Sequence, residues 1–205
     1  RTPEYAGVWV NIPTLSSGMN GVCMSYNNNT TISDENPLAT YDFKHVYHFE
    51  SGAPAGQIVD TMNNNTCFLT NTENITNGTF GDALFFNGST SANCGDTDQI
   101  IGNGFTSLVV FKSLSTDLPN SGIRRIYDKN DYGLGIAGGT VNLQGHIQTI
   151  SGGSRSATTL NVFTLGEYTS ASVVYDSSQI LIYSQGQFQI STLQTGQIVN
   201  SGSIL

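Results

Sequence analysis

Glu167-Tyr-Thr-Ser-Ala-Ser-Val-Val-Tyr-Asp-Ser-Ser-Gln-Ile-Leu-Ile-Tyr-Ser-Gln-Gly-Gln187 decides the fold class of this chain. It holds two runs rich in β-branched and aromatic residues, Glu167 to Tyr175 and Gln179 to Tyr183. Asp176-Ser-Ser178 separates them and Gln185-Gly186 closes the second. Branched and aromatic side chains fit a pleated surface, while Asp, Ser and Gly supply the hydrogen bonds and positive φ of turns. The stretch therefore predicts strand, turn, strand, turn. Working outward, Phe105-Thr-Ser-Leu-Val-Val-Phe-Lys112 has the same character, and Thr140-Val-Asn-Leu-Gln144 alternates apolar and polar as a half-buried strand does. No window of about ten residues carries a helical period, and no internal repeat is visible. The prediction is all-β, a two-sheet jelly-roll sandwich with an extra N-terminal strand or arm.

Charge supports a particular setting. Of 205 residues only 11% are charged, against about 25% in an average globular chain, and Asn, Ser, Thr and Gly take their place. The net charge is −8 and the largest basic cluster is Arg124-Arg125, so a phosphate backbone would be repelled and no nucleic-acid partner is expected. No run approaches the roughly 20 apolar residues of a membrane span. The first residue is Arg1 rather than Met, which suggests a processed chain. An extracellular or cell-surface location is expected.

Three regions follow one another. Residues 1–44 hold one strand, Tyr5-Ala-Gly-Val-Trp-Val-Asn-Ile12, between Pro3 and Pro13, then a polar, Asn-rich linker. Along that strand Val8, Val10 and Ile12 share one face and Trp9 the other. Residues 45–191 are dense in β pattern, and 192–205 read as a polar tail. The expected organisation is 1–44 as strand and linker, and 45–205 as the jelly-roll domain.

Four segments resemble, in order, the LamG-like jelly roll of the concanavalin A-like lectin and glucanase group. They are His45-Val-Tyr-His-Phe-Glu50 with Ile58-Val-Asp60, Gly81-Asp-Ala-Leu-Phe-Phe-Asn-Gly-Ser89, Phe105 to Phe111, and Glu167 to Gln187. The resemblance covers roughly residues 45–191. It implies an opening strand at 45–50, a hairpin at 81–89 and a central buried strand at 105–111. Tyr168 and Gln185 stand where the family usually has Trp and Asn. The family's closing strand, which pairs with the opening one, is not found in the tail. Tyr5 to Ile12 could fill that gap, in the same chain or, by strand addition, in a neighbour.

Other motifs carry less. Gly133-Leu-Gly-Ile-Ala-Gly138 fits G-x-G-x-x-G, but strand rather than helix follows, so a β segment is expected and not a dinucleotide site. His45 and His48 face opposite sides of a strand and cannot easily share a metal. The five Glu residues, Glu4, Glu35, Glu50, Glu73 and Glu167, are far apart, and no closely spaced pair suits glycoside hydrolysis. No G-x-S-x-G elbow exists, so no enzyme is expected. Asp60, Asp96, Asp98, Asp128 and Asp131 are expected in loops, and Asp96-Thr97-Asp98 offers an oxygen-ligand pair for calcium, with ordinary solvated turn residues as the alternative. Sequons occur at Asn28, Asn29, Asn64, Asn74, Asn77 and Asn87, with Asn87 in the family's turn. Cys23, Cys67 and Cys94 allow one disulfide with a thiol left over, an intermolecular bond, or three free thiols. A Cys67–Cys94 bond would tie the arms flanking the loop at 71–81.

The function expected is that of a non-catalytic structural or adhesive module, a glycosylated subunit that self-assembles through the strand at 5–12, with a filament as one form of assembly. The alternative is a lectin-like carbohydrate-binding module that could use calcium, with Tyr127, Tyr132 and Tyr168 as aromatic platforms.

Overall fold

The computed structural model describes residues 43–49, 54–62, 65–70, 75–79, 82–95, 104–114 and 122–199. The chain divides into two units, Arg1–Ala92 and Asn93–Leu205. The described residues contain no helix, and thus none long and apolar enough to cross a membrane. The expected boundary after residue 44 was drawn on a strand and linker that lie outside the described residues.

In the first unit the strands are short. β1 (Gln57–Val59) pairs antiparallel with β2 (Thr66–Leu69). β3 (Ile75–Asn77) pairs with β4 (Asp82–Leu84) in a two-stranded hairpin. β5 (Ala92–Asn93) lies at the end of this stretch, in a sheet of order β1-β2-β5. Asp60 organises the approach to β1. Its buried carboxylate accepts from the N–H groups of Val46 at 2.8 Å and Met62 at 3.0 Å, and its other oxygen is 2.7 Å from His45 Nδ1. Among the described residues of the opening strand expected at 45–50, the pairing is a single bridge, Tyr47 to Asp60. With the Val46 N–H given to a side chain, it is not available to a ladder. The family-type hairpin at 81–89 is also shorter than expected, because β4 ends at Leu84. There Asn87 Oδ1 accepts from the N–H and hydroxyl of Ser89 and of Thr90, closing an Asx-type turn.

The second unit is an antiparallel β-sandwich. One sheet has the order β10-β9-β8-β7, built from β7 (Ile123–Asp128), β8 (Tyr132–Ala137), β9 (Asn142–Thr149) and β10 (Gly153–Thr158). The other has the order β13-β12-β11-β6, from β6 (Phe105–Lys112), β11 (Tyr168–Tyr175), β12 (Gln179–Ser184) and β13 (Gln187–Leu193). The chain thus leaves the second sheet after β6, completes the first as a meander, and returns to set β11 beside β6. Alternation places Leu134, Ile136, Leu143 and Ile147 of one sheet against Ala171, Val173, Tyr175, Ile180 and Ile182 of the other in one core. The glycine-rich run at 133–138 is part of strand β8 and its end, as its β reading required. Gln185 and Gly186 both have positive φ, 50° and 73°, in the two-residue connection from β12 to β13.

The region read as a polar tail corrects the sequence reading. β13 extends to Leu193, and the chain beyond it is anchored. Ile198, only 4% exposed, joins the core and bridges Thr149. The Ile150 N–H donates to Gln197 O and the Val199 N–H to Gln148 O, both at 2.9 Å. Buried Gln194 is satisfied by donating Nε2 to Thr149 Oγ1 and Gly153 O. One apolar residue among polar neighbours suffices here, because the polar groups find partners in the β9–β10 turn.

Candidate functional site

Among the described residues, β6 is one edge of its four-stranded sheet. Its sequence, FTSLVVFK, is apolar on both faces. Among the described residues it pairs on one side only, with β11. Phe105, Ser107, Val109 and Phe111 point inward, opposite Tyr175, Val173, Ala171 and Thr169. Those four β11 residues are at most 1% exposed, yet Phe105, Val109 and Phe111 are only half-buried. The outward row is more open, with Leu108 at 52% and Val110 at 42%. Burial therefore falls off across one strand spacing. The expected central buried strand is an edge strand within its four-stranded sheet.

Its inward side chains are nonetheless held in place. The Phe105 ring lies 4.5 Å from that of Tyr132, and Phe111 meets Phe163 edge-on at 5.3 Å. Ser107 Oγ and the Tyr127 hydroxyl form a hydrogen bond, and burial pushes the Tyr127 phenol up. Lys112 is the one charge on the strand, and its ammonium sits 5.0 Å over the Tyr168 ring. A lysine standing free on an edge discourages strand pairing, whereas this one is drawn onto its neighbour's ring. β6 is thus an eight-residue strand, apolar on both faces, with β11 as its one ladder partner among the described residues.

The other sequence-predicted residues are scattered. Tyr5, Val8, Trp9, Val10 and Ile12 lie outside the described residues, as do Asn29, Asn64, Asn74, Asp96 and Asp98. Asn77 ends β3 and is exposed, and Asn87 is exposed with its Oδ1 committed to the turn. Cys67, 1% exposed on β2, and Cys94 are both disulfide-bonded, and Cys23 lies outside the described residues. Among the described residues no three His, Cys, Asp or Glu cluster as a metal site. Of the three tyrosine platforms, Tyr132 is buried under Phe105, Tyr127 is half-buried against Ser107, and Tyr168 carries Lys112. They are explained by packing. The edge character of β6 was missed because an apolar pattern on both faces reads equally as burial on both sides.

No family model matches the chain, and no curated protein matches it. Among solved structures it is similar to the crystal structure of an HCR/D mutant, with a TM-score of 0.44 and 16% identity. That match covers 70% of this chain and spans 38% of the other.

Proposed function

We propose that the chain is a non-catalytic structural or adhesive module of LamG-like jelly-roll type, an extracellular or cell-surface glycosylated subunit. It self-assembles by adding the strand at Tyr5–Ile12 of one copy to the β6 edge of the next. The observation that carries this reading is the half-buried state of Phe105, Val109 and Phe111 on a strand that, among the described residues, is paired on one side only. A strand whose alternate residues are Val8, Val10 and Ile12 complements that edge. Pairing satisfies backbone groups that otherwise need water, and burying each of the three contributes about 1.5–3 kcal/mol before ordering costs. The contact is head-to-tail, so it propagates into a filament unless it closes as a ring.

Deleting residues 1–15 tests this. The intact chain should form polymers visible by electron microscopy. The truncated chain should be a folded monomer that binds a peptide of residues 1–15, shifting the amide resonances of residues 105–112. Polymers that survive the deletion would sink the proposal. So would a chain that is monomeric when intact and unfolds when truncated, since the strand would then belong to its own sheet.

A further inference from the structure

Arg125 of β7 and His146 of β9 meet across an intervening strand. β8 lies between them in the ladder, with Gly135 opposite Arg125 and Gly133 opposite both Asp128 and His146. Neither glycine has a side chain to stand in the way. A Cβ on Gly133 would lie 2.6 Å from His146 Cε1, 2.8 Å from Tyr127 O and 2.9 Å from Asp128 Oδ1. Over that gap Arg125 Nη1 comes within 2.9 Å of His146 Nδ1. Arg125 Nε is also 3.4 Å from Asp128 Oδ2, and Asp128 Oδ1 is 3.3 Å from His146 Nε2. The three side chains close a ring of contacts on the face of the sheet opposite to Leu134 and Ile147.

The protonation of the ring follows from its contacts. A guanidinium can only donate, so Nδ1 is the acceptor and the neutral imidazole holds its proton on Nε2. A second proton, on Nδ1, would set two donors and two positive charges 2.9 Å apart. The surroundings act in the same direction. Burial and then Arg125 hold the His146 pKa below its ordinary 6.5, outweighing Asp128, the Asn130 carbonyl and Asp131, which favour the charged ring. Ser156, opposite His146 on β10, is uncharged, and Arg155 is paired with Ile147 on the other face. The β7–β8 turn also holds buried Lys129, a further cation.

The contact holds β7 where its ladder is interrupted. The register with β8 shifts between Arg125 and Tyr127, which leaves Ile126 without a ladder partner, and Ile123, Arg124 and Arg125 are exposed. We propose that the Arg125–His146 contact is a proton-operated catch: with the imidazole neutral it fastens β7 to β9, and acidification releases β7 from the rest of the sheet. The folded pKa is the lower one, so the contribution of the catch is present above pH 6.5 and is lost as pH falls through the folded value. Arg125, already partly exposed, turns to water on release. The catch lies within the second unit and does not depend on the assembly reading.

Hydrogen exchange of the full chain, read by mass spectrometry so that assembly does not interfere, tests this between about pH 8 and about pH 5. Protection of the peptide spanning 123–128, corrected for the intrinsic pH dependence of exchange, should fall about tenfold or more at the lower pH, while that of β12 stays the same. Exchange at the imidazole C2 carbon in the same samples should place the His146 pKa below 6.5. Arg125→Gln should raise that pKa, because its amide is uncharged and offers either N–H or oxygen to Nδ1, and should leave β7 equally protected at both pH values. The Arg125 side chain is partly exposed, so R125Q should fold, and the two measurements on the parent decide the matter if it does not. A His146 pKa at or above 6.5 overturns the proposal, as does β7 protection that is the same at both pH values in the parent. So does an equal loss in β12, which is global unfolding, or a pH-dependent loss that persists undiminished in R125Q.

Discussion

The hydroxyl of Tyr175 donates to the carbonyl of Gly196 at 2.5 Å, fastening the last described segment of the chain to the sandwich core. The Tyr175 ring is itself buried among Val173, Ile180 and Ile182. Tyr175→Phe keeps that packing and leaves the Gly196 carbonyl without its donor. The expected cost is about 1 kcal/mol, read as a lower urea midpoint with unchanged slope. Amide exchange at Ile150 and Val199, which donate across the same segment, should accelerate.

Gly145 faces inward from β9 beneath Val173. A Cβ there would stand 2.9 Å from Val173 Cγ2, 3.3 Å from Cγ1 and 3.5 Å from Ile182 Cδ1. Both neighbours are fully buried, so neither side chain can swing into solvent. Gly145→Ala should therefore cost about 1–3 kcal/mol by overpacking, despite removing a glycine from a strand. The double variant with Val173→Ala should recover part of the loss, which urea denaturation of the four proteins of the cycle would measure.

Gln185 occupies a left-handed conformation, φ 50°, beside Gly186 at 73°. Turns with positive φ at both positions favour Asn-Gly, because Asn tolerates that region better than a longer side chain. Gln185→Asn should raise stability by about 0.5 kcal/mol and shift the melting temperature upward by a few degrees. A lower melting temperature would contradict the assignment of this turn.

Asp60 sets an acid limit for the first unit. Burial opposes its charged form, but the N–H groups of Val46 and Met62 and the ring of His45 outweigh it, so its pKa lies below the ordinary 3.8. The folded value is the lower one, so the stabilisation is present above pH 3.8 and is lost as pH falls through the folded value. Asp60→Asn should lower stability at neutral pH by about 1.5–3 kcal/mol and flatten its fall below about pH 4. Urea midpoints between pH 2 and 7 would check both effects.

Peptide mapping without reduction should join Cys67 to Cys94 and leave Cys23 alkylable. Two bonded cysteines in a chain of three have no other intramolecular pairing. Reduction should cost roughly 3 kcal/mol for a loop of this size. A Cys23-containing disulfide peptide would overturn the assignment.

Residues 167–187 by themselves determined the fold class. Strand and turn chemistry operate over a few residues, so β11, the Asp176 turn, β12 and the Gln185-Gly186 turn lie where side-chain branching and local hydrogen bonding put them. The strand at 105–112 was legible for the same reason, and so was the strand character of the 133–138 glycine run. Only the tertiary structure decided what those strands face. Among the described residues β6 is an edge, because the chain leaves the sheet after it and returns beside it as β11, a choice its residues do not encode. Ile198 is buried because Thr149, 49 positions earlier, offers a bridge to the segment that carries it. His146 reaches toward Asp128, 18 positions earlier, because Gly133 on the strand between them has no side chain: a Cβ there would stand 2.6 Å from His146 Cε1 and 2.9 Å from Asp128 Oδ1. Each of these depends on partners far apart in the chain, and pairings at that range are set by how two sheets close on one core, which no local pattern specifies.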